Sequence, residues 1–273
     1  MDSKILILGG TGKTGKRVAE ILQKKKVSFC IGSRNGNPSF DWDKPENWKS
    51  VLKNIEKVYI TFQPDLAVPE ASKKIQLFVD IAKNLGVKKL VLLSGRGEKE
   101  AQVCEKIVIN SGIDWTVIRA SWFMQNFNEN FFLDSILEGN LILPKIIALE
   151  PFIDANDIAE VVALSLTQKK HTGKIYELTG PQLLSFKDAI SLISKSIERP
   201  IAYQEVNMTD YLIMLREYQI PEDSIWLINY LFTEVLDGRN EFLTDDVQKV
   251  LNRQPISFEE YVAKTKMTGV WNF

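Results

Sequence analysis

Glycines at positions 9, 10, 12 and 15, with Lys13 and Thr14 between the last two, have the composition and spacing of a turn that holds phosphate. Gly10, Gly12 and Gly15 satisfy GxGxxG, and Gly9, Gly12 and Gly15 satisfy the related GxxGxxG spacing. Either register has the same physical meaning. The early glycines permit a tight turn and close approach of a pyrophosphate, the helix that follows offers N–H groups and a partial positive charge, and Gly15 lets helix and strand pack closely. Gly12-Lys13-Thr14 also imitates the end of an NTPase phosphate loop, but that motif needs a glycine where Ile7 stands, inside the preceding strand.

The next candidate chemistry lies in CIGSRN, residues 30–35, where Ser33 and Arg34 follow an apolar run and no acid occurs before Asp41. A carboxylate at such a strand end binds a free ribose 2′-hydroxyl, whereas an arginine accommodates a 2′-phosphate. NADP(H) is therefore expected over NAD(H). Phe62 and Gln63 follow the third apolar run and are candidate cofactor contacts at that strand end, and Ser94 ends the fourth run in LVLLSG. Ser94 is suited to hydrogen-bond a ribose or substrate and equally to cap its own loop. Trp122, Phe123, Asn126 and Phe127 suit an aromatic wall beside the nicotinamide, or equally a buried helix start.

No catalytic residue is assignable. A short-chain dehydrogenase delivers a proton through a tyrosine with a lysine four positions later. The residues four beyond the seven tyrosines are Gln63, Gly180, Asn207, Leu215, Glu222, Glu234 and Thr265. His171, the sole histidine, sits in the polar stretch TQKKHTG and is expected at the surface. One histidine and two widely separated cysteines make no zinc cluster, and DWDKPENW lacks the central glycine of a calcium loop. No metal is expected.

These positions need a scaffold that brings strand ends together. Apolar runs near 4–9, 27–33, 57–62, 88–94 and 114–119 alternate with amphipathic stretches, the pattern of βαβ units around a parallel sheet. Ile75, Phe78, Val79 and Ala82 form one helical stripe, which Gly86 ends. Beyond about residue 140 prolines shorten the elements, and Tyr211, Met214, Tyr218, Trp226, Tyr230 and Phe232 read chiefly as a small second core. The expected fold is α/β, a Rossmann-type doubly wound parallel sheet with a small, mostly helical C-terminal subdomain. Residues 1–180 are assigned to NADP(H) binding and 181–273 to a cap over the substrate.

Lys plus Arg number 34 and Asp plus Glu 35, which leaves no charge excess to attract nucleic acid or an anionic membrane. Cys30 and Cys104 both fall in apolar or helix-like runs and read as buried, reduced thiols. MDSK runs directly into a strand without the features of a signal peptide, and no apolar run is long enough to span a membrane. The chain is expected to be cytoplasmic and to act on a small molecule. Its oligomeric state is not encoded legibly.

GGTGKTG, FDW at 40–42, LLSG at 92–95, SGIDWTVIRASWFMQNF at 111–127, FIDANDIAEV at 152–161 and YELTGP at 176–181 together resemble the NmrA-like atypical short-chain dehydrogenase/reductases. Within these the chain is most similar to the ergot alkaloid reductase branch of festuclavine and agroclavine dehydrogenases. The resemblance spans nearly the whole chain. It implies cofactor contacts at Gly9, Thr11, Gly12, Lys13, Thr14, Gly15, Ser33, Arg34, Gln63 and Ser94, and it implies no proton donor. The segment GRGEKE at 95–100 departs from the small-residue loop of many quinone-reducing relatives.

Two functions follow as expectations. One is an NADPH-dependent reductase passing hydride to a small apolar acceptor such as an iminium, quinone or conjugated carbonyl; the other is a non-catalytic, NADP(H)-sensing regulator of the NmrA type. An isomerase or epimerase using tightly held cofactor is disfavoured by the lack of an acid–base pair.

Overall fold

The computed structural model describes residues 4–129 and 131–272, and within them the chain forms two compact units. The first comprises Met1–Ala120, Ala155–Leu178 and Lys249–Leu251; the second comprises Ser121–Asp154, Thr179–Gln248 and Asn252–Phe273. A single cut at residue 180 therefore does not describe the division. Residues 121–154 group with the second unit because their apolar side chains, from Met124 to Phe152, pack into its core.

The first unit runs β1 (Ile5–Leu8), α1 (Lys13–Lys24), β2 (Phe29–Gly32), α2 (Trp48–Val51), β3 (Lys57–Ile60), α3 (Ala71–Asn84), β4 (Lys89–Gly95), α4 (Lys99–Ile109) and β5 (Asp114–Ala120). The chain leaves this unit for α5 (Leu133–Glu138) and β6 (Asn140–Pro144), then returns as α6 (Ala155–Thr167) and β7 (Lys174–Leu178). The sheet order is β2-β1-β3-β4-β5-β7, with every pairing parallel. All five expected strands are present.

Helices cover both faces, with α1 beside α6 and α3 beside α4. That accounts for the continuously buried apolar run of β1. Ile75, Phe78, Val79 and Ala82 form the buried stripe of α3, and Gly86 takes a left-handed φ of 78° just beyond its end. Because β2 and β3 lie on opposite sides of β1, the strand order reverses there. A crevice at the carboxyl ends of β1 and β3 is where such sheets bind ligands.

The second unit continues with α7 (Phe186–Ile197), β8 (Ala202–Val206), α8 (Met208–Glu217), α9 (Glu222–Tyr230), the first half of α10 (Asp246–Leu251) and α11 (Phe258–Lys266). Its strands β6 and β8 pair in parallel. Its core is aromatic, with Phe127, Phe152, Phe186, Phe258 and Trp271 almost fully buried. No helix among the described residues is long and apolar enough to cross a membrane.

Candidate dinucleotide site

The turn from Gly9 to Gly15 leaves β1 and enters α1 through Gly12, whose backbone is extended at the helix N-cap. Gly9 has φ +63°, and its carbonyl accepts the Gly12 N–H at 2.9 Å, which closes the turn. The glycines are required by contact as well as by conformation. A Cβ on Gly15 would lie 2.2 Å from the Gly9 carbonyl oxygen, and one on Gly9 would lie 2.3 Å from Thr61 Oγ1. The α1 N-terminus thus presents amide donors and the positive end of its dipole at this strand end, without a side chain to obstruct an anion.

Two neighbouring strands bring the other expected contacts here. The Gly9 N–H donates to the Gly32 carbonyl at 3.1 Å, which ties the turn to the end of β2, where Ser33 is half-buried and Arg34 exposed. Ser39 Oγ donates to the Arg34 carbonyl at 2.7 Å and the Phe40 N–H donates to the Ser33 carbonyl at 2.9 Å, so the backbone carrying the arginine is held. Beyond β3, Gln63 is exposed, and its Nε2 is 4.0 Å from where a Gly12 Cβ would be. Gly9, Gly12, Gly15, Ser33, Arg34 and Gln63 therefore gather at the ends of β2, β1 and β3. Thr11 is exposed and Lys13 half-exposed on the same turn. The residues present fit a dinucleotide phosphate by the glycine turn, whose tight path a Cβ on Gly9, Gly10 or Gly15 would break by meeting Thr61, Ile31 or the Gly9 carbonyl.

The side chains of three other expected site residues are engaged within the protein. The Thr14 hydroxyl is buried and accepts a hydrogen bond from Tyr59 at 3.0 Å; burial pushes the Tyr59 phenol above its ordinary range. Phe62 is a core side chain, its ring 4.8 Å from that of Trp42 in a cluster with Phe40, Trp48 and Phe78, so it supports the Gln63 segment from beneath. Ser94 neither caps its own loop nor stands free: its hydroxyl donates to Glu105 Oε1 at 2.7 Å.

In the second unit Phe127 is a correction too. It is fully buried among Phe132, Phe152 and Phe258, and its carbonyl accepts from Trp271 Nε1 at 3.0 Å. Trp122, Phe123 and Asn126 are half-exposed, and the Trp122 N–H donates to Glu150 Oε1 at 3.1 Å.

His171 is buried rather than at the surface. Its Nδ1 is 2.8 Å from the Tyr176 hydroxyl and its carbonyl accepts from Thr116, because the 169–171 turn folds back under the start of β7. Burial lowers its pKa, and Lys170 and Lys89 add to the effect. Cys104 is buried and free as expected, whereas Cys30 is only half-buried.

A cluster of charges at the ends of β4, β5 and β7 was not anticipated from sequence. Glu105, with 1% exposure, receives Arg119 Nη2 at 2.7 Å, and Arg119 Nη1 reaches Glu177 Oε1 at 3.0 Å. Hydrogen bonding to Glu105 is the main cause that raises the Arg119 pKa. The signal was present in α4, whose buried stripe is Ala101, Cys104, Glu105 and Val108: an acid in an apolar stripe needs a partner.

With this geometry in place, comparison with known proteins is direct. The NmrA-like family matches residues 1–262, and the chain belongs to that family. Agroclavine dehydrogenase of Claviceps fusiformis is 29% identical, covering 98% of each chain. Prestalk A differentiation protein A of Dictyostelium discoideum is 27% identical over 96% of this chain and 92% of its own. Among solved structures, the NADPH complex of the Escherichia coli quinone oxidoreductase QOR2 superposes with a TM-score of 0.78 at 20% identity, covering 95% of this chain and 99% of that one. The shared fold is the Rossmann-type α/β sheet.

Proposed function

From membership of the NmrA-like family, we propose that the chain is an NAD(P)H-dependent oxidoreductase that uses NADP(H) in preference to NAD(H). The observation that carries this reading is the side-chain-free cradle between β1 and α1, flanked by Arg34 and Gln63 at the adjacent strand ends. Gly9, Thr11, Gly12, Lys13, Thr14 and Gly15 would hold the pyrophosphate by backbone amides, and Ser33 with Arg34 the 2′-phosphate. The bound nicotinamide supplies hydride.

The acceptor is proposed to be small and largely apolar: an iminium, a quinone or a conjugated carbonyl. An iminium is neutralised by hydride and needs no general acid, which suits a chain without the tyrosine–lysine pair. The protein's contribution is then orientation and exclusion of water. Trp122, Phe123 and Asn126 of the second unit are the residues assigned to the acceptor. Relatives named agroclavine dehydrogenase and NAD(P)H azoreductase support reductive chemistry. Steady NADPH oxidation with a panel of cyclic imines and quinones tests the proposal; tight NADPH binding without turnover on any of them counts against it.

A second reading, an NADP(H)-sensing regulator, is favoured by the similarity to a protein named for differentiation. It requires different affinities for the oxidised and reduced cofactor, coupled to binding of a macromolecule. Equal affinities and no co-purifying partner would remove it.

A further inference from the structure

Near the cradle, two acids meet in a way the proposed function does not use. Asp65 lies two residues beyond Gln63, in the segment after β3, and Asp65 Oδ1 accepts the Ala67 N–H at 2.8 Å. Glu98 lies at the N-cap of α4, where an acid ordinarily binds the first-turn amides, yet its side chain makes no capping hydrogen bond. It turns inward instead. Glu98 is 5% exposed, and its carboxyl fills the space beside Gly95 so closely that a Cβ there would lie 1.8 Å from Oε1. Glu98 Oε2 is buried with no donor, and the group its side chain bonds is the Asp65 carboxyl. Two carboxyl groups hydrogen-bond only if one keeps its proton.

The surroundings favour keeping it. Glu100 and Glu105 on α4 add negative charge, and Arg119 of β5 is engaged with Glu105 and Glu177. The Cys104 thiol on the same helix is pushed up to about 12 by burial and by Asp65 and Glu105, so it stays neutral. Burial and the facing Asp65 hold Glu98 well above the ordinary carboxylate range, and burial raises Asp65 as well.

We propose that Glu98 and Asp65 hold one proton between them, and that this shared proton ties the segment after β3 to the end of β4, making both acids positioning residues for the dinucleotide cradle. Leu66 and Ala67 are buried beside it, and the Cys104 thiol lies 3.9 Å from the Leu66 carbonyl, so the segment is clamped on its α4 side. At the other end of the same segment Gln63 lies beside the turn, its Nε2 4.0 Å from where a Gly12 Cβ would be. Loss of the proton places two carboxylates against each other in a buried site, and the clamp on Gln63 loosens. The link to cofactor rests on the dinucleotide reading; the shared proton does not.

The test uses the full chain and its Glu98→Gln variant, whose amide donates to Asp65 at every pH. Amide exchange at Ala67, corrected for intrinsic rate, and the NADPH dissociation constant are followed from the ordinary carboxylate range up to the alkaline limit of stable folding, because Glu98 is held well above that ordinary range. Expected are falling protection and about tenfold weaker NADPH binding on the alkaline side for the wild type, with both flat in Glu98→Gln. An infrared carboxylic-acid band in glutamate-labelled wild type at neutral pH is expected as well, and it is readable even if the variant does not fold. Absence of that band, or a variant that follows the wild-type curve, overturns the shared proton. Protection that falls while NADPH affinity stays constant overturns the link to the cradle. Failure of the wild type to bind NADPH at any pH overturns the cofactor reading and that link together, with the band still deciding the proton.

Discussion

The glycine turn of the first unit and the aromatic segment 122–127 of the second both offered site residues, and they fared differently. In the turn, each glycine answers a contact: Gly15 meets the Gly9 carbonyl, and Gly9 meets Thr61. In the aromatic segment, Phe127 is core while Trp122, Phe123 and Asn126 stay half-exposed. Glycine spacing encodes a backbone geometry with few uses. An aromatic side chain satisfies a core and a pocket wall equally well, so its type alone does not separate them.

That difference is broken most forcefully at Phe127. Phe127→Ala should cost ~3–5 kcal/mol of stability, because a fully buried ring surrounded by other rings leaves a cavity that cannot collapse. Trp122→Ala, from a half-exposed position against Phe186 and Phe232, should cost less and should instead raise KM for the acceptor. Denaturant melts and steady-state kinetics on both variants read the contrast. Equal stability losses with unchanged KM would place Trp122 in the core alongside Phe127.

Next comes Gly15→Ala, whose new Cβ has backbone rather than side chain in its way. The turn must shift, at ~1–3 kcal/mol of stability, and the amide donors move with it. NADPH affinity measured by fluorescence titration should fall by at least about tenfold, ~1.4 kcal/mol. Unchanged affinity in a folded Gly15→Ala protein would mean that the phosphate is not held there.

What was legible followed the same line. Strand positions, the α3 stripe and the turn were readable because period and glycine spacing are local constraints. The fate of Ser94 was not, since its hydroxyl is taken by Glu105, eleven residues away and on a different element. Phe62 was misread because Trp42, which its ring meets, lies on the far side of β3 in sequence and no periodicity links them. The Glu98–Asp65 pair was invisible for the same reason: two unremarkable loop acids become a site only when β3 and β4 end side by side. The division between units was misplaced because residues 121–154 continue from β5 without a break in composition and choose their unit by packing.

Arg34 sharpens the contrast within the first unit, between residues that shape the cradle and one that selects its occupant. Arg34→Ala should leave stability unchanged, since the side chain is exposed and its backbone is held through Ser39. NADPH affinity should weaken by about tenfold, ~1.4 kcal/mol, and NADH affinity should not move. Parallel titrations with the two cofactors check this, and an equal loss for both would remove the basis for 2′-phosphate recognition.

The smallest expected effect belongs to His171, at the opposite end of the sheet from the cradle. Its buried ring is held below its ordinary pKa in the native state, while in the unfolded chain it titrates near the ordinary value of ~6.5. As pH falls through that value the unfolded chain takes up a proton that the native state resists, so stability is lost on the acid side and is fully present above it. His171→Gln keeps a hydrogen-bonding group near the Tyr176 hydroxyl but cannot titrate. Urea unfolding between about pH 5 and about pH 8 should show a shallower acid limb in the variant than in the wild type. NADPH affinity at neutral pH should be the same in both, because His171 lies just before the start of β7 and the glycine turn follows the end of β1. An identical acid limb would mean that the native ring accepts its proton as readily as the unfolded one, and the Tyr176 contact would then have to be one that tolerates imidazolium.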